Sequence, residues 1–247
     1  TRGQINANLK SSQAISVEAA AAATVPAGAG AYDPATNSMA QYDATAGTGV
    51  KPDFRMSLPV SDSKGGQRTL TINLLKSSTP NQWYAEIVAT PASDVVSGAP
   101  LANGQVKTGL IAFTQDGRLD AAAMAAMGSA ALFTDIDNAS LTFGASDAAA
   151  PAAGTANWAA GLGINDQTVS LDLNAAAGGL TQYDSDSVVQ AVITNGTPFG
   201  SLTGVEIDEQ GFVTANFDNG VSRRIAQVAI ATFPSTDSLT SVSGNAY

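Results

Sequence analysis

Residues 69–74 have the sequence Thr-Leu-Thr-Ile-Asn-Leu, in which an apolar residue follows every polar one. Successive side chains of a β-strand point to opposite faces, so the three apolar residues share one face of a predicted strand. The same alternation occurs at 169–173 and at 213–217. These segments predict a protein built mainly of β-strands. Further short runs with strand character lie at 54–60, 82–88, 107–113, 140–143, 188–193, 202–208 and 225–232.

Residue pairs that tolerate positive φ values separate several of these runs and favour tight turns. No helical segments alternate with the strands, so the pattern predicts an all-β fold of antiparallel β-sandwich or barrel domains with long loops. At most one short helix is expected, at 120–127, where Asp120 can cap the first turn. The Ala-rich segment 18–23 lacks a broad apolar stripe and is expected to be a loop. The turn pairs are Asn103-Gly104, Asp116-Gly117, Asn195-Gly196 and Asn219-Gly220.

Runs of small residues mark the segments that bury little surface. The run at 175–179 precedes a series of regular hairpins, so we expect a domain boundary there, which divides the chain into 1–180 and 181–247. The first residues, Thr1 to Gln4, do not have the character of a signal peptide, and both ends of the sequence look cut from a longer protein.

The composition excludes several kinds of chemistry. The chain has 247 residues with no His and no Cys, so it lacks imidazole and thiolate groups for nucleophile activation, for zinc sites and for disulfides. Its formal net charge is -10, which repels phosphate backbones and anionic membranes. No run of 18 or more apolar residues is present. We therefore expect no nucleic-acid or membrane partner.

Carboxylates are the remaining candidates for catalysis or for metal binding. The local pairs are Asp135 with Asp137, Asp184 with Asp186, and Asp208 with Glu209. A glycosidase needs two opposed carboxylates, usually in a cleft with sugar-stacking aromatic rings, but the chain has only two Trp residues. The sequence 135–138, Asp-Ile-Asp-Asn, could offer oxygen ligands to calcium, yet the glycine and the closing glutamate of an EF-hand do not follow.

These acidic pairs are therefore interpreted as turn-forming and solubilising residues. Three isolated Gly-x-Gly triplets, beginning at Gly28, Gly47 and Gly161, lack the strand and helix that a nucleotide site requires. The sequence predicts no catalytic, cofactor-binding or metal-binding residue and no cofactor, and thus no enzyme.

Several phrases, in chain order, are similar to the flagellar hook protein family. Residues 5–9, Ile-Asn-Ala-Asn-Leu, resemble the opening strand of the outer domain in that family. The phrase at 58–66, Leu-Pro-Val-Ser-Asp-Ser-Lys-Gly-Gly, resembles another family phrase and leads, as in the family, to an isolated Trp83. Further resembling phrases lie at 32–36, 110–119, 180–185, 200–208, 211–213, 217–220, 225–233 and 239–247.

This resemblance implies a structural subunit of the bacterial flagellar hook, the flexible tube that joins rod to filament, transmits torque and serves motility. Residues 1–180 would then be the outer, surface-exposed domain and 181–247 part of the middle domain. The implied partners are further copies of the subunit in a helical, self-assembled polymer, together with rod, hook-cap and hook–filament junction proteins. The implied location is extracellular, after export by the flagellar secretion apparatus without a cleaved signal peptide. Terminal helices drive assembly in the family, so these residues alone are expected to be monomeric.

Two alternatives to the hook subunit stay open. Rod proteins of the flagellar axis share the C-terminal phrases, although the phrases at 62–65 and at Trp83 favour the hook. A β-sandwich surface adhesin or an S-layer-like protein would have a similar composition, and calcium would then shift its melting temperature.

Overall fold

A computed structural model describes residues 2–24, 28, 30–174, 179–195, 202–208, 210–218 and 222–228. The chain divides into two compact units, Thr1–Thr197 (unit 1) and Pro198–Tyr247 (unit 2). The described residues form two short α-helices, α1 (Val17–Ala22) and α2 (Ala121–Met127), and fourteen β-strands. The strands are β1 (Arg2–Lys10), β2 (Phe54–Ser61), β3 (Gln67–Lys76), β4 (Gln82–Thr90), β5 (Val95–Ser97), β6 (Gln105–Ala112), β7 (Ser140–Gly144), β8 (Ala156–Trp158), β9 (Gln167–Asp172), β10 (Leu180–Tyr183), β11 (Val188–Thr194), β12 (Leu202–Ile207), β13 (Phe212–Phe217) and β14 (Ser222–Gln227).

A four-stranded antiparallel sheet contains the alternating residues 69–74. Its strands follow the order β2-β3-β4-β6. On β3, Ile72 lies between Met56 of β2 and Ile87 of β4, and all three side chains are buried. Leu70 and Leu74 are fully buried on the same strand. The alternating pattern therefore marks the core face of this sheet, as the sequence predicted.

A seven-stranded mixed sheet forms the second layer of unit 1. Its order is β10-β1-β9-β7-β8-β5, and β11 also pairs with β1. Buried residues of both sheets form one continuous core, to which β1 contributes Ile5, Ala7 and Leu9. This core explains why unit 1 is a sandwich of two sheets.

Strand β1 lies next to the edge strand β11 in this second sheet and has partners on both of its own edges. Along one edge it pairs in parallel with β9 through Arg2–Gln4 and with β10 through Ala7–Lys10. Along the other edge it pairs antiparallel with β11 from Gly3 to Asn8. Residues 184–187, which join β10 to β11, must therefore cross β1.

The outer face of the four-stranded sheet is covered by the segment between β1 and β2. A second, smaller apolar cluster forms there around Tyr32, Met39 and Leu75. Helix α1 contributes Ala19 to this cluster, and Ser16 caps the helix by accepting a hydrogen bond from the Ala19 N–H at 3.1 Å. This covering layer consists mostly of turns, which gives the long loop that the composition indicated.

The all-β class and its predominantly antiparallel pairing confirm the fold predicted from the sequence. The helix expected at 120–127 is α2, with Asp120 as its cap. Helix α1 is an addition, since the segment 18–23 was expected to be a loop. Compact unit 1 also continues past the expected boundary at 175–179, because β10 and β11 belong to the same sheet as β1.

Unit 2 contains a three-stranded antiparallel sheet of order β12-β13-β14. The predicted hairpin loop at 208–211 joins β12 to β13, and the Asp208 side chain accepts hydrogen bonds from the N–H groups of Gln210 and Phe212. Ala215 is buried, whereas Val205 and Ile207 are about half exposed or more. The predicted strand at 225–232 is described only as far as 228, and its remainder lies outside the described residues.

Candidate functional surfaces

The acidic pair Asp135 and Asp137, considered above as a calcium site, lies in an exposed turn. One oxygen of Asp135 accepts from the N–H groups of Asp137 and Asn138 at 3.1 and 3.2 Å, and the other accepts from the Asn138 side chain at 2.8 Å. These hydrogen bonds, that of the Asn138 side chain first, lower the pKa of Asp135. The geometry therefore makes Asp135 a cap of its own turn.

The other two acidic pairs also serve local structure. Asp184 accepts a hydrogen bond from the hydroxyl of Ser12, two residues after β1, and Asp186 forms an ion pair at 3.0 Å with Lys10, the last residue of β1. Asp208 closes the hairpin loop of unit 2, and Glu209 lies outside the described residues. Among the described residues, no group of three or more His, Cys, Asp or Glu side chains could hold a metal ion.

Both tryptophans are core residues and are unavailable for stacking on a sugar. Trp83 is fully buried and its indole N–H donates to Gln182 at 2.7 Å. Trp158 stacks on Phe143 with ring centroids 4.3 Å apart. Tyr84, which the alternation of β4 would leave exposed, packs instead against Tyr32 at 4.8 Å. The covering segment of residues 12–53 accounts for that difference.

A buried carboxylate, which the sequence analysis did not single out, fastens this covering segment to the sheet. Glu86 on β4 is 0% exposed and accepts hydrogen bonds from the Tyr32 hydroxyl at 3.0 Å and from the N–H groups of Met39 and Ala40 at 2.9 and 2.8 Å. Burial raises the pKa of Glu86 above its ordinary range and raises that of Tyr32 as well. The acid thus replaces the water that these donors would otherwise need.

A second buried polar cluster ties the two sheets together. The side-chain oxygen of Gln182 on β10 accepts from Trp83 at 2.7 Å and from the Lys76 ammonium at 3.1 Å. Its amide nitrogen donates to Asn81 at 3.0 Å. Burial lowers the pKa of Lys76. No sequence motif could have found this cluster, because Gln182 lies about a hundred residues from its partners in the chain.

A groove of unit 1 lies beside this region, with a volume of about 540 Å³. Polar side chains dominate its walls, among them Asn6, Arg118 and Gln190, and Tyr183 contributes a half-exposed ring. No pair of carboxyl side chains lines it, so the arrangement that glycoside hydrolysis needs is absent from this groove. Within the described part of the chain, no helix is long and apolar enough to cross a membrane.

Comparison with known proteins gives a consistent set of similarities. Residues 8–197 match the family profile described as "Flagellar basal body protein FlaE D2 domain". The chain is 50% identical over 224 residues to the flagellar hook protein FlgE of Caulobacter vibrioides, which covers 87% of this chain and 36% of that protein. It is 27% identical over 208 residues to the flagellar hook protein FlgE of Treponema pallidum, or 80% of this chain and 42% of that protein. The chain therefore spans less than half the length of either relative.

A solved structure is also similar to this fold. The 32 kDa fragment of the flagellar hook protein FlgE from Caulobacter crescentus superimposes with a TM-score of 0.65 and 29% identity, which covers 79% of this chain and 99% of that one. The profile match ends at 197, the residue at which compact unit 1 also ends. Unit 1 thus coincides with one domain that recurs in other proteins.

Proposed function

This chain belongs to the flagellar hook protein family, and we propose that it is the outer part of a hook subunit, a structural element that performs no catalysis. The observation that carries the proposal is the match of a hook-family domain to 8–197, which lies within unit 1 and ends at the same residue. Unit 1 would form the outer, surface-exposed domain. Unit 2 would be part of the middle domain.

The surface and core of unit 1 support a structural role. Its buried polar groups, Glu86 and Gln182, are occupied by bonds that fasten one layer of the fold to another. The acidic turn at Asp135 uses its oxygens to fix its own backbone. The hydrogen bonds of Glu86, Gln182 and Asp135 therefore support the architecture of an acidic domain.

In the complete protein, the proposed partners are further copies of the subunit, which polymerise into a helical tube, with rod, hook-cap and hook–filament junction proteins at its ends. The proposed route to the cell exterior is the flagellar secretion apparatus. The absence of Cys suits that route, because a chain that passes through a narrow channel unfolded cannot be locked by disulfides on the way.

Deletion of the gene in its own bacterium tests this proposal. Electron microscopy of the deletion strain should show basal bodies with a complete rod, without a hook and without an external filament. A copy of the gene returned on a plasmid should restore all three structures. Truncated rods would assign the protein to the rod instead, and normal hooks would refute the proposal.

A further inference from the structure

We propose that residues 184–187, here called the strap, act as a mechanical clamp that couples unit 2, through the edge strand β11, to β1 of the seven-stranded sheet of unit 1. This inference rests on the proposed function, since a hook subunit must pass load from one of its domains to the next. The strap joins β10 to β11, and those strands lie on opposite edges of β1. The strap therefore crosses β1.

The side chains of β1 that point away from the core hold the strap in place. Asn8 is 3% exposed, and its amide group donates to the backbone oxygen and the hydroxyl of Ser185 at 3.2 and 3.0 Å. The Lys10 N–H donates to the Ser187 hydroxyl at 2.9 Å, and the Lys10 ammonium pairs with Asp186. These contacts place the strap over the face of β1 that carries Asn8.

The start of the strap is fixed to the rest of unit 1. The side-chain oxygen of Asn8 accepts from the Tyr183 N–H at 2.9 Å and from the Thr181 hydroxyl at 3.1 Å, both on β10. One residue before Tyr183, Gln182 is bonded to Trp83 and Lys76 of the four-stranded sheet. Load that reaches the strap therefore passes into both layers of the sandwich.

The other end of the strap leads, through β11, toward unit 2. Asn195 and Arg2 are joined by two hydrogen bonds, one from each backbone N–H, at 3.0 and 2.7 Å. Any force that unit 2 exerts along the chain enters unit 1 at Asn195. It then acts on β11, whose side chains Val188 and Ile193 are about half exposed.

An edge strand loaded in this way is poorly secured by its ladder alone, because its other edge has no strand partner among the described residues. Loss of β11 from β1 would proceed from Asn195 toward Val188. The strap stops it there, since Asn8 binds both the strap and the β10 backbone. The strap thus connects the strands on the two edges of β1, β10 and β11, across one face of β1.

Single-molecule pulling on the whole chain tests the clamp in two directions. The chain has no Cys, so an introduced cysteine is a unique handle. In the first direction, Ser129→Cys on the exposed surface of unit 1 is pulled against the C-terminus, so that the force passes through β11. In the second direction, Ser129→Cys is pulled against Ala46→Cys, and the force bypasses the strap.

The variant Asn8→Ala removes the side-chain bonds from Asn8 to the strap and to β10, and Asn6→Ala is its matched control. Asn6 is on the same strand and face, and its side chain makes no hydrogen bond within the described residues. In the first direction, Asn8→Ala should raise the rate of the first rupture of unit 1 at fixed force by about tenfold to a hundredfold. Asn6→Ala should leave that rate unchanged, and neither variant should change the second direction.

An equal increase of the rupture rate in both directions would show that Asn8 only stabilises the fold. An unchanged rupture rate in the first direction would refute the clamp. If Asn8→Ala does not fold, Ser187→Ala removes the one bond to Lys10 N–H and should show the same dependence on direction at smaller size. Pulling needs no assembled hook, so its failure would leave the proposed function intact. Normal hooks in the deletion strain would instead refute the proposed function, whereas the pulling rates alone decide whether the strap acts as a clamp.

Discussion

Glu86→Gln offers a close test of the buried carboxylate that fastens the covering segment. A glutamine has the same shape, and its carbonyl oxygen can still accept from Tyr32 and Met39. Its NH₂ group would then face the Ala40 N–H, which now donates to the second carboxylate oxygen at 2.8 Å. One hydrogen bond to a charged acceptor is worth about 1.5–3 kcal/mol, and the two that remain weaken when the charge is lost.

Removal of a buried charge offsets part of this loss, because the carboxylate is costly to desolvate. We expect Glu86→Gln to lower the free energy of unfolding by about 2–3 kcal/mol. Urea unfolding followed by the fluorescence of the two buried tryptophans measures this change. Limited proteolysis should also cut the covering segment, residues 12–53, sooner than in the unmodified chain.

The matched control is Glu206→Gln, the same substitution at an exposed position of unit 2. It should change the free energy of unfolding by less than about 0.5 kcal/mol. The reasoning fails if Glu86→Gln also falls within that range, or if it lowers stability without faster cleavage of residues 12–53.

Three further predictions concern pH, packing and metal. Burial raises the folded-state pKa of Glu86, so the folded state takes up a proton at a higher pH than the unfolded state does. The free energy of unfolding of the chain, relative to that of Glu86→Gln, should therefore fall as pH rises from about 4.5 through the folded-state pKa. A relative free energy of unfolding that increases with pH, in paired urea titrations, would contradict this sign. Phe143→Ala removes a fully buried ring that stacks on Trp158, so it should cost about 3–5 kcal/mol in the same assay, and a cost below about 1 kcal/mol would argue against that packing. EDTA should leave the melting temperature within about 1 °C of its value in added calcium, because the oxygens of Asp135 already accept hydrogen bonds from their own turn; a calcium-dependent rise of several degrees would support the surface-protein alternative.

Local alternation is most evident in strands whose neighbours are close in sequence, although it also predicted β9 at 169–173, which pairs with the distant β1. The run at 69–74 belongs to a strand whose partners are the preceding and following strands of a meander, so its apolar face is evident without further context. The run at 213–217 likewise belongs to a strand, β13, whose partners β12 and β14 precede and follow it. Strands β5 and β8, of three residues each, are too short to show a period and were missed.

The contacts that distinguish this domain are long-range and carry no local signal. Asn8 forms hydrogen bonds with Ser185 and Tyr183, which lie more than 170 residues away in the chain. No local pattern around these residues predicts that they pair. Strand β1 itself was expected only through the resemblance at 5–9. The burial of Glu86 could not be predicted either, because the segment that shields it from solvent consists mainly of turns.

Helix α1 was not predicted, although the sequence contains signals for it. Ser16 is a favourable N-cap residue, and Glu18 lies in the first turn, where a negative charge is favourable. The lack of a broad apolar stripe at 18–23 favoured a loop over these helix signals. The helix needs little apolar surface because Ala19 alone enters the core beneath it.

The most direct test of the hook assignment is to locate the chain on the flagellum. Antibodies raised against residues 1–197 and carrying gold particles can be applied to intact cells of the bacterium and viewed by electron microscopy. The account predicts label along the short curved segment between cell body and filament, and its loss in the deletion strain. Label spread over the cell surface, or confined to the filament, would contradict it.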